Sequence, residues 1–195
     1  MKRSTCISLG LCCWITACVA DTGSGPDLDS ESETEVGLLP EALTQQFVFR
    51  NEGSKRCLGV DRASTAPGAR LKQFDCDCFA NQQWHPDASY QVVPSHRAFV
   101  NFKSGLCIGA EGSSTSSNVA LMQQSCNRTN VQQWRRIDFR DNALGEETFR
   151  FRNAEGLCMG VDGGSGANGA QIKQFACDQR INQRWVVHPP EFCGL

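Results

Sequence analysis

The sequence predicts an all-β domain assembled from three copies of one unit of about 50 residues, and three observations carry that prediction. The string Cys57-Leu58-Gly59-Val60-Asp61 returns as Cys107-Ile108-Gly109-Ala110-Glu111 and as Cys158-Met159-Gly160-Val161-Asp162, at spacings of 50 and 51 residues. Each first cysteine is followed 19 residues later by a second, at Cys76, Cys126 and Cys177. Each copy closes on Gln-x-Trp: Gln82-Gln83-Trp84, Gln132-Gln133-Trp134 and Gln183-Arg184-Trp185. One such unit has too little apolar surface to fold alone, whereas three can share a single core.

Each copy reads as four short strands. The first is a β-prone run: Phe47-Val48-Phe49-Arg50, Ala98-Phe99-Val100, or Phe149-Arg150-Phe151-Arg152. An asparagine follows (Asn51, Asn101, Asn153), then a polar turn holding Gly53, Gly105 or Gly156. The Cys-x-Gly string is the second strand. A turn rich in Gly, Ser and Ala leads to the third, seen in the alternating Ala170-Gln171-Ile172-Lys173-Gln174-Phe175. Short strands at regular turn spacing read as a barrel, twelve strands in all, and no stretch shows a long helical period. Trp84, Trp134 and Trp185 are expected to fill the shared interior. Gln82, Gln132 and Gln183 are expected to satisfy backbone groups ahead of each Trp.

These residues resemble the ricin B-chain-type lectins, whose repeats end in Gln-x-Trp. The resemblance runs from about Gln46 to Leu195. It implies a β-trefoil with a pseudo-threefold axis, six strands forming a barrel and six a cap of hairpins. It also implies one shallow sugar pocket per repeat. There an aromatic ring stacks on the apolar face of a galactose-like sugar. An Asp two residues after the first Cys accepts hydroxyl hydrogen bonds, and the Asn of Asn-Gln-x-Trp adds another. A flat ring beside a few fixed polar groups can sort hydroxyl orientations. Repeat one supplies Phe74, Asn81 and Gln82; repeat three supplies Phe175, Asn182 and Gln183. Repeat two has Gln124 and Val131 instead, and no site is expected there.

One departure is consistent across the copies: the Asp position is Gly59, Gly109 and Gly160. Asp61 and Asp162 stand two residues further on, and side chains two apart in a strand share a face. They are expected to serve the pocket in its place, with ordinary turn acids as the alternative. Lys72 and Lys173, two residues before each ring, read as solvated strand residues. The resemblance implies weak binding of galactose- or xylose-type sugars, of order millimolar (roughly 4 kcal/mol) per site, raised by avidity. The alternative is a trefoil that has lost sugar binding and acts in protein–protein contact or as an inhibitor.

The N-terminus reads as an address. Lys2-Arg3 precedes a mostly apolar stretch from Cys6 to Ala17, the pattern of an export signal over residues 1–17. It is short of the roughly 20 apolar residues that span a bilayer. Ile15-Thr16-Ala17-Cys18 resembles a bacterial lipobox, which implies acylation of Cys18. Val19 after the cysteine points to the outer membrane. A secreted protein cut near Ala20 is the alternative. Residues 18–45 read as a flexible acidic tether, with no Lys or Arg between Ser4 and Phe49 and seven acids in that stretch. Residues 46–195 form the trefoil, in repeats of about 46–95, 96–145 and 146–195.

Equivalent cysteines of the repeat should pair equivalently, giving Cys57–Cys76, Cys107–Cys126 and Cys158–Cys177. Cys78 and Cys193 are left over, either as a bridge from repeat one to the C-terminus or as two free thiols. Disulfides fit an exported protein. No Cys-x₂-Cys or His pair suggests zinc.

Several function classes are excluded as expectations. Without the seven tether acids and Lys2/Arg3, 17 basic and 14 acidic residues remain. That excess is too small and dispersed for nucleic-acid binding. No nucleophile elbow, phosphate loop or paired-His metal motif occurs. His85, His96 and His188 stand isolated, and Glu146-Glu147 reads as a solvated pair in a polar loop. A non-catalytic monomer is expected, with glycans as partners, no cofactor, no metal, and membrane contact through the lipid alone.

Overall fold

The computed structural model describes residues 45–87 and 95–194. The expected signal, Cys18 and the tether up to residue 44 lie outside the described residues. Twelve strands follow in order: β1 Phe47–Asn51, β2 Cys57–Val60, β3 Leu71–Phe74, β4 Gln83–Pro86, β5 Phe99–Asn101, β6 Cys107–Ala110, β7 Val119–Gln124, β8 Trp134–Asp141, β9 Glu147–Asn153, β10 Leu157–Val161, β11 Ile172–Ala176 and β12 Trp185–His188. Four fall in each repeat, as the turn spacing predicts.

Six of them close a ring. β1 pairs with β12 and β4, β4 with β5, β8 with β9, and β9 with β12. The Arg97–Trp134 bridge joins the β5 side to β8. The hairpins β2–β3, β6–β7 and β10–β11 form the second layer. They meet one another through Lys173–Ala120, Arg70–Met122 and Lys72–Gln171. This is a β-trefoil, and closing the ring removes the exposed strand edges.

The core obeys the repeat. Phe49, Phe99 and Phe151 meet at the axis with ring centroids 4.8–5.1 Å apart. Trp84, Trp134 and Trp185 are fully buried. Each indole Nε1 donates to the carbonyl next to the first cysteine: Leu58, Ile108 and Met159, at 3.2, 3.3 and 3.0 Å. The buried ring thus keeps its one polar group satisfied.

A second threefold set was not anticipated from the sequence. Gln73, Gln123 and Gln174 are fully buried in the hairpins. Each amide Nε2 donates to two carbonyls of a neighbouring repeat's turn. Gln73 reaches Ser165 and Ala167 (both 2.8 Å), Gln123 reaches Ser64 and Ala66 (2.9 and 2.8 Å), and Gln174 reaches Ser114 and Ser116 (2.8 and 2.7 Å). These glutamines stitch each hairpin to the next.

All four disulfides are formed. The three within repeats have Cα–Cα distances of 5.0–5.1 Å. Cys78–Cys193 ties repeat one to the C-terminus across 115 residues, which resolves the leftover pair as a bridge. Such bonds belong to an exported protein.

The symmetry breaks at the β8–β9 hairpin, whose strands run eight and seven residues. Glu146, read as a solvated loop acid, instead pairs with Arg50 (2.5 Å) and accepts from Asn142 (2.8 Å). Arg50 Nε donates to His188 Nε2 at 3.1 Å, and Phe192 stacks on the imidazole at 3.7 Å. His188 is therefore part of a clasp over the C-terminus rather than an isolated residue.

Candidate functional site

In repeats one and three the second hairpin strand ends near a ring, and the Gln-x-Trp turn brings an asparagine beside it. In repeat one, Phe74 closes β3 and Asn81 sits in the turn before β4. They line an open hollow of about 280 Å³ with Asp75, Asp77 and Asn168. In repeat three, Phe175 and Asn182 line an equivalent hollow of about 300 Å³ with Asp178, Arg180 and Ser117. Both phenyl rings are half-buried, so one face is backed by protein while part of the ring meets solvent.

The glycines explain why the rings can lie there. A Cβ on Gly59 would stand 3.1 Å from Phe74 Cδ2 and 3.0 Å from Gln82 Cγ. On Gly160 it would stand 2.9 Å from Gln183 Cγ and 3.4 Å from Phe175 Cδ2. An acid at these positions would collide with the pocket floor. The space goes to the ring.

Asp61 and Asp162 do not take over the acid's place. Neither lines its hollow. Asp61 pairs with Lys72 and Asp162 with Lys173, both at 2.9 Å. The register explains this: Gly59 opposes Lys72 and Gly160 opposes Lys173. Each lysine comes up beside the turn that follows its partner strand. Both acids stand partly exposed at the turn in these ion pairs, and the lysines are ion-paired rather than merely solvated.

Gln82 and Gln183 line the floors of the hollows. Gln82 Nε2 donates to Asp75 O (2.9 Å) and its Oε1 accepts from Asp77 N (3.3 Å). Gln183 repeats this with Ala176 O (3.0 Å) and Asp178 N (3.1 Å), and Gln132 with Ser125 O and Asn127 N. The backbone role expected of these amides is the one they perform, each through one N–H and one oxygen bond.

The asparagines differ. Asn182 Nδ2 donates to Val161 O at 2.8 Å, so its carbonyl oxygen is the group left to accept. The Asn81 side chain has no hydrogen-bond partner among the described residues, and its Nδ2 lies 3.5 Å from the Cβ that Gly59 lacks.

Repeat two shows how a pocket closes. Gln124 stands where the ring would be and donates to Ala110 O at 2.7 Å. Val161 and Ala110 are equivalent, so Gln124 makes the bond that Asn182 makes in repeat three. Its Oε1 lies 2.5 Å from a Cβ placed on Gly109. Val131, at the asparagine position, is buried.

Three features were missed in the sequence. Asp77 and Asp178 both follow the second cysteine of a repeat that keeps its ring, where repeat two has Asn127; that pattern was available. Each uses one oxygen to accept a backbone N–H, from Phe79 (3.0 Å) and from Arg180 (2.9 Å). Asp178 also pairs with Arg180 at 3.4 Å. Asn168 crosses from repeat three to bond Asp75 twice, at 3.0 and 3.2 Å. Ser117 crosses from repeat two and accepts from Ala176 N at 3.1 Å. Each live hollow is thus walled by a neighbouring repeat. Pro67 occupies the equivalent position facing repeat two.

Residues 41–134 and 95–191 match the ricin-type beta-trefoil lectin domain family. No curated protein matches the sequence. The solved structures it resembles include the designed 3-fold symmetric protein ThreeFoil, at 26% identity over 74% of this chain and 98% of that one, with a TM-score of 0.66. Another is 1,3Gal43A, an exo-beta-1,3-galactanase from Clostridium thermocellum, at 24% identity over 75% of this chain and 30% of that one, TM-score 0.66. A third is the ricin B-like lectin of Macrolepiota procera in complex with lactose, at 15% identity over 75% and 96%, TM-score 0.59. The two matched stretches overlap in the second repeat and together cover most of the sequence, and the chain belongs to the ricin-type β-trefoil lectin domain family.

Proposed function

We propose that this chain is a non-catalytic carbohydrate-binding protein that takes galactose- or xylose-type sugars in repeats one and three. One observation carries the reading: two equivalent hollows each keep a half-exposed phenyl ring beside an asparagine, and the third is filled by Gln124. The ring supplies a flat apolar plate for the C–H face of a pyranose. Asn81 and Asn182 supply amides at its edge, and Asp77 and Asp178 supply carboxylate oxygens at the wall. Shallow, open sites of this kind bind weakly, of order millimolar. Two per chain, displayed in many copies, gain by avidity.

Display follows from the N-terminus. Acylation of Cys18 would hold the domain at the cell envelope, with residues 18–45 as its tether. Binding on a glycan array tests the lectin reading. Phe74→Ala combined with Phe175→Ala should abolish binding, and undiminished binding by that variant would reject the mechanism. Cys18→Ser should release the protein from membranes; retention would reject the anchor.

A further inference from the structure

The two live hollows are not alike in what lies beside them. In an antiparallel sheet, directly opposed residues share a face. Four such residues form one row in repeat three: Arg135 opposes Arg152, Arg152 opposes Cys158, and Cys158 opposes Phe175. The equivalent row in repeat one is Val186, Arg50, Cys57, Phe74, and in repeat two His85, Val100, Cys107, Gln124. Only the third row carries both a stacking ring and two guanidiniums.

The charges in the rows differ too. In repeat one, Arg50 is neutralised by Glu146 at 2.5 Å. In repeat three, Arg135 and Arg152 form no ion pair among the described residues, and Arg135 Nε is buried without a hydrogen-bond partner. Two like charges directly opposite each other destabilise a ladder, and no ion pair among the described residues offsets them. Asp178 pairs with Arg180 (3.4 Å), and Glu155, which accepts from the neutral Asn130 amide (2.8 Å), makes no ion pair with either arginine. Both arginines keep part of their surface in solvent. Arg152 lies over the β9–β10 turn, its Nη2 3.2 Å from where a Cβ on Gly156 would be, and Gly156 O contacts Sγ of Cys177, two residues after Phe175, at 3.4 Å. The row spans three strand spacings, about 14 Å at 4.7–4.9 Å each, the reach of a short oligosaccharide rather than of one sugar.

Resting on the sugar-binding reading above, we infer that the repeat-three site is extended and takes an anionic glycan, with one ring on Phe175 and a carboxylate or sulfate further along the chain held by Arg152 and Arg135. Repeat one, whose row arginine Arg50 is already paired with Glu146, lacks that two-arginine row although Arg62 lines its hollow, and takes the neutral sugar. Guanidinium groups suit this task because their fork of donors matches a planar or tetrahedral oxyanion.

Titration of the full chain with a sulfated galactan and with the unsulfated galactan tests this. The sulfated polymer should bind at least about tenfold tighter at low salt, and the difference should shrink as salt rises. Arg135→Gln with Arg152→Gln should erase the preference while leaving affinity for the neutral polymer unchanged. Equal affinity of the wild type for both polymers would overturn the inference and leave the lectin reading standing. A preference that survives the double arginine variant, or that survives Phe175→Ala with duplex DNA binding equally well, would overturn it as a general polyanion effect. Failure to bind either polymer, or any glycan on the array, would overturn the lectin reading and this inference with it.

Discussion

Gly59 and Gly160 mark where this chain parts from its family's usual pocket. The acid expected there is absent because the phenyl ring and the floor glutamine have moved into its space. Restoring the acid should therefore harm the site. Gly160→Asp is expected to destabilise the fold by roughly 1–3 kcal/mol, the usual cost of overpacking, and to lower sugar affinity. A urea melt and a titration on the same variant would check both. The buried glutamines give a second test. Gln174→Ala strips the only side-chain donor from the carbonyls of Ser114 and Ser116. The change also takes the acceptor from the buried Asn153 amide; an unsatisfied buried group costs about 1–3 kcal/mol, and a loss of that size is expected in chemical denaturation. Much of this scale was legible beforehand. Phe74, Phe175, Asn81 and Asn182 stand in the sequence at family spacing, and Gln124 announces the closed pocket. The partners of Asp61 and Asp162 were hidden because alternation fixes a face but not what lies across the ladder. Only the register brings Lys72 and Lys173 beside them. Asn168 and Ser117 could not be read at all, since their contacts cross between repeats.

Among the elements, the β8–β9 hairpin and the C-terminal clasp respond to acid. The Asn142 hydrogen bond lowers the pKa of Glu146 against the opposing effect of burial, and the hydrogen bond and charge of Arg50 add to it. Burial raises the Asp138 carboxyl, but the hydrogen bonds and charges of Arg150 and Arg140 outweigh it and leave the pKa below the usual value. Burial pushes His188 down, helped by the charge of Arg50 and opposed by Glu146. The Arg50 Nε–His188 Nε2 hydrogen bond needs that nitrogen unprotonated. All three groups bind protons more readily in the unfolded chain, so stability falls with falling pH. The His188 contribution is complete above its unfolded value, about 6.5, and fades as pH drops through the lower folded one. The carboxylate contributions are complete above about 4 and fade below it. Melting temperature measured from pH 7 to pH 3 should fall in two stages, and His188→Gln should remove the first. A flat profile between pH 7 and 5 would contradict the His188 assignment. None of this was visible in the sequence. Glu146 looked like a loop acid because its partner Arg50 lies 96 residues away.

As a whole, the molecule is held by symmetric parts that cannot stand separately. The Phe49–Phe99–Phe151 cluster takes one ring from each repeat, and the buried glutamines pass from hairpin to hairpin. Unfolding should accordingly be a single cooperative transition. Phe99→Ala is expected to cost about 3–5 kcal/mol and to destabilise all three repeats together, measured as coincident loss of the β signal and of tryptophan fluorescence. The architecture was the most legible feature, because a threefold sequence repeat constrains strand number, disulfide pairing and core at once. Of the asymmetries, the closed hollow was announced by Gln124, whereas the arginine row beside Phe175 appears only with the strand register.

The most direct measurement is an NMR titration of the chain with lactose, following side-chain amides. The account predicts that Asn81 and Asn182 shift, that Gln124 does not, and that Phe74→Ala and Phe175→Ala each silence their own site while the fold persists. Shifts absent at both asparagines, or unchanged in the doubly substituted protein, would contradict it.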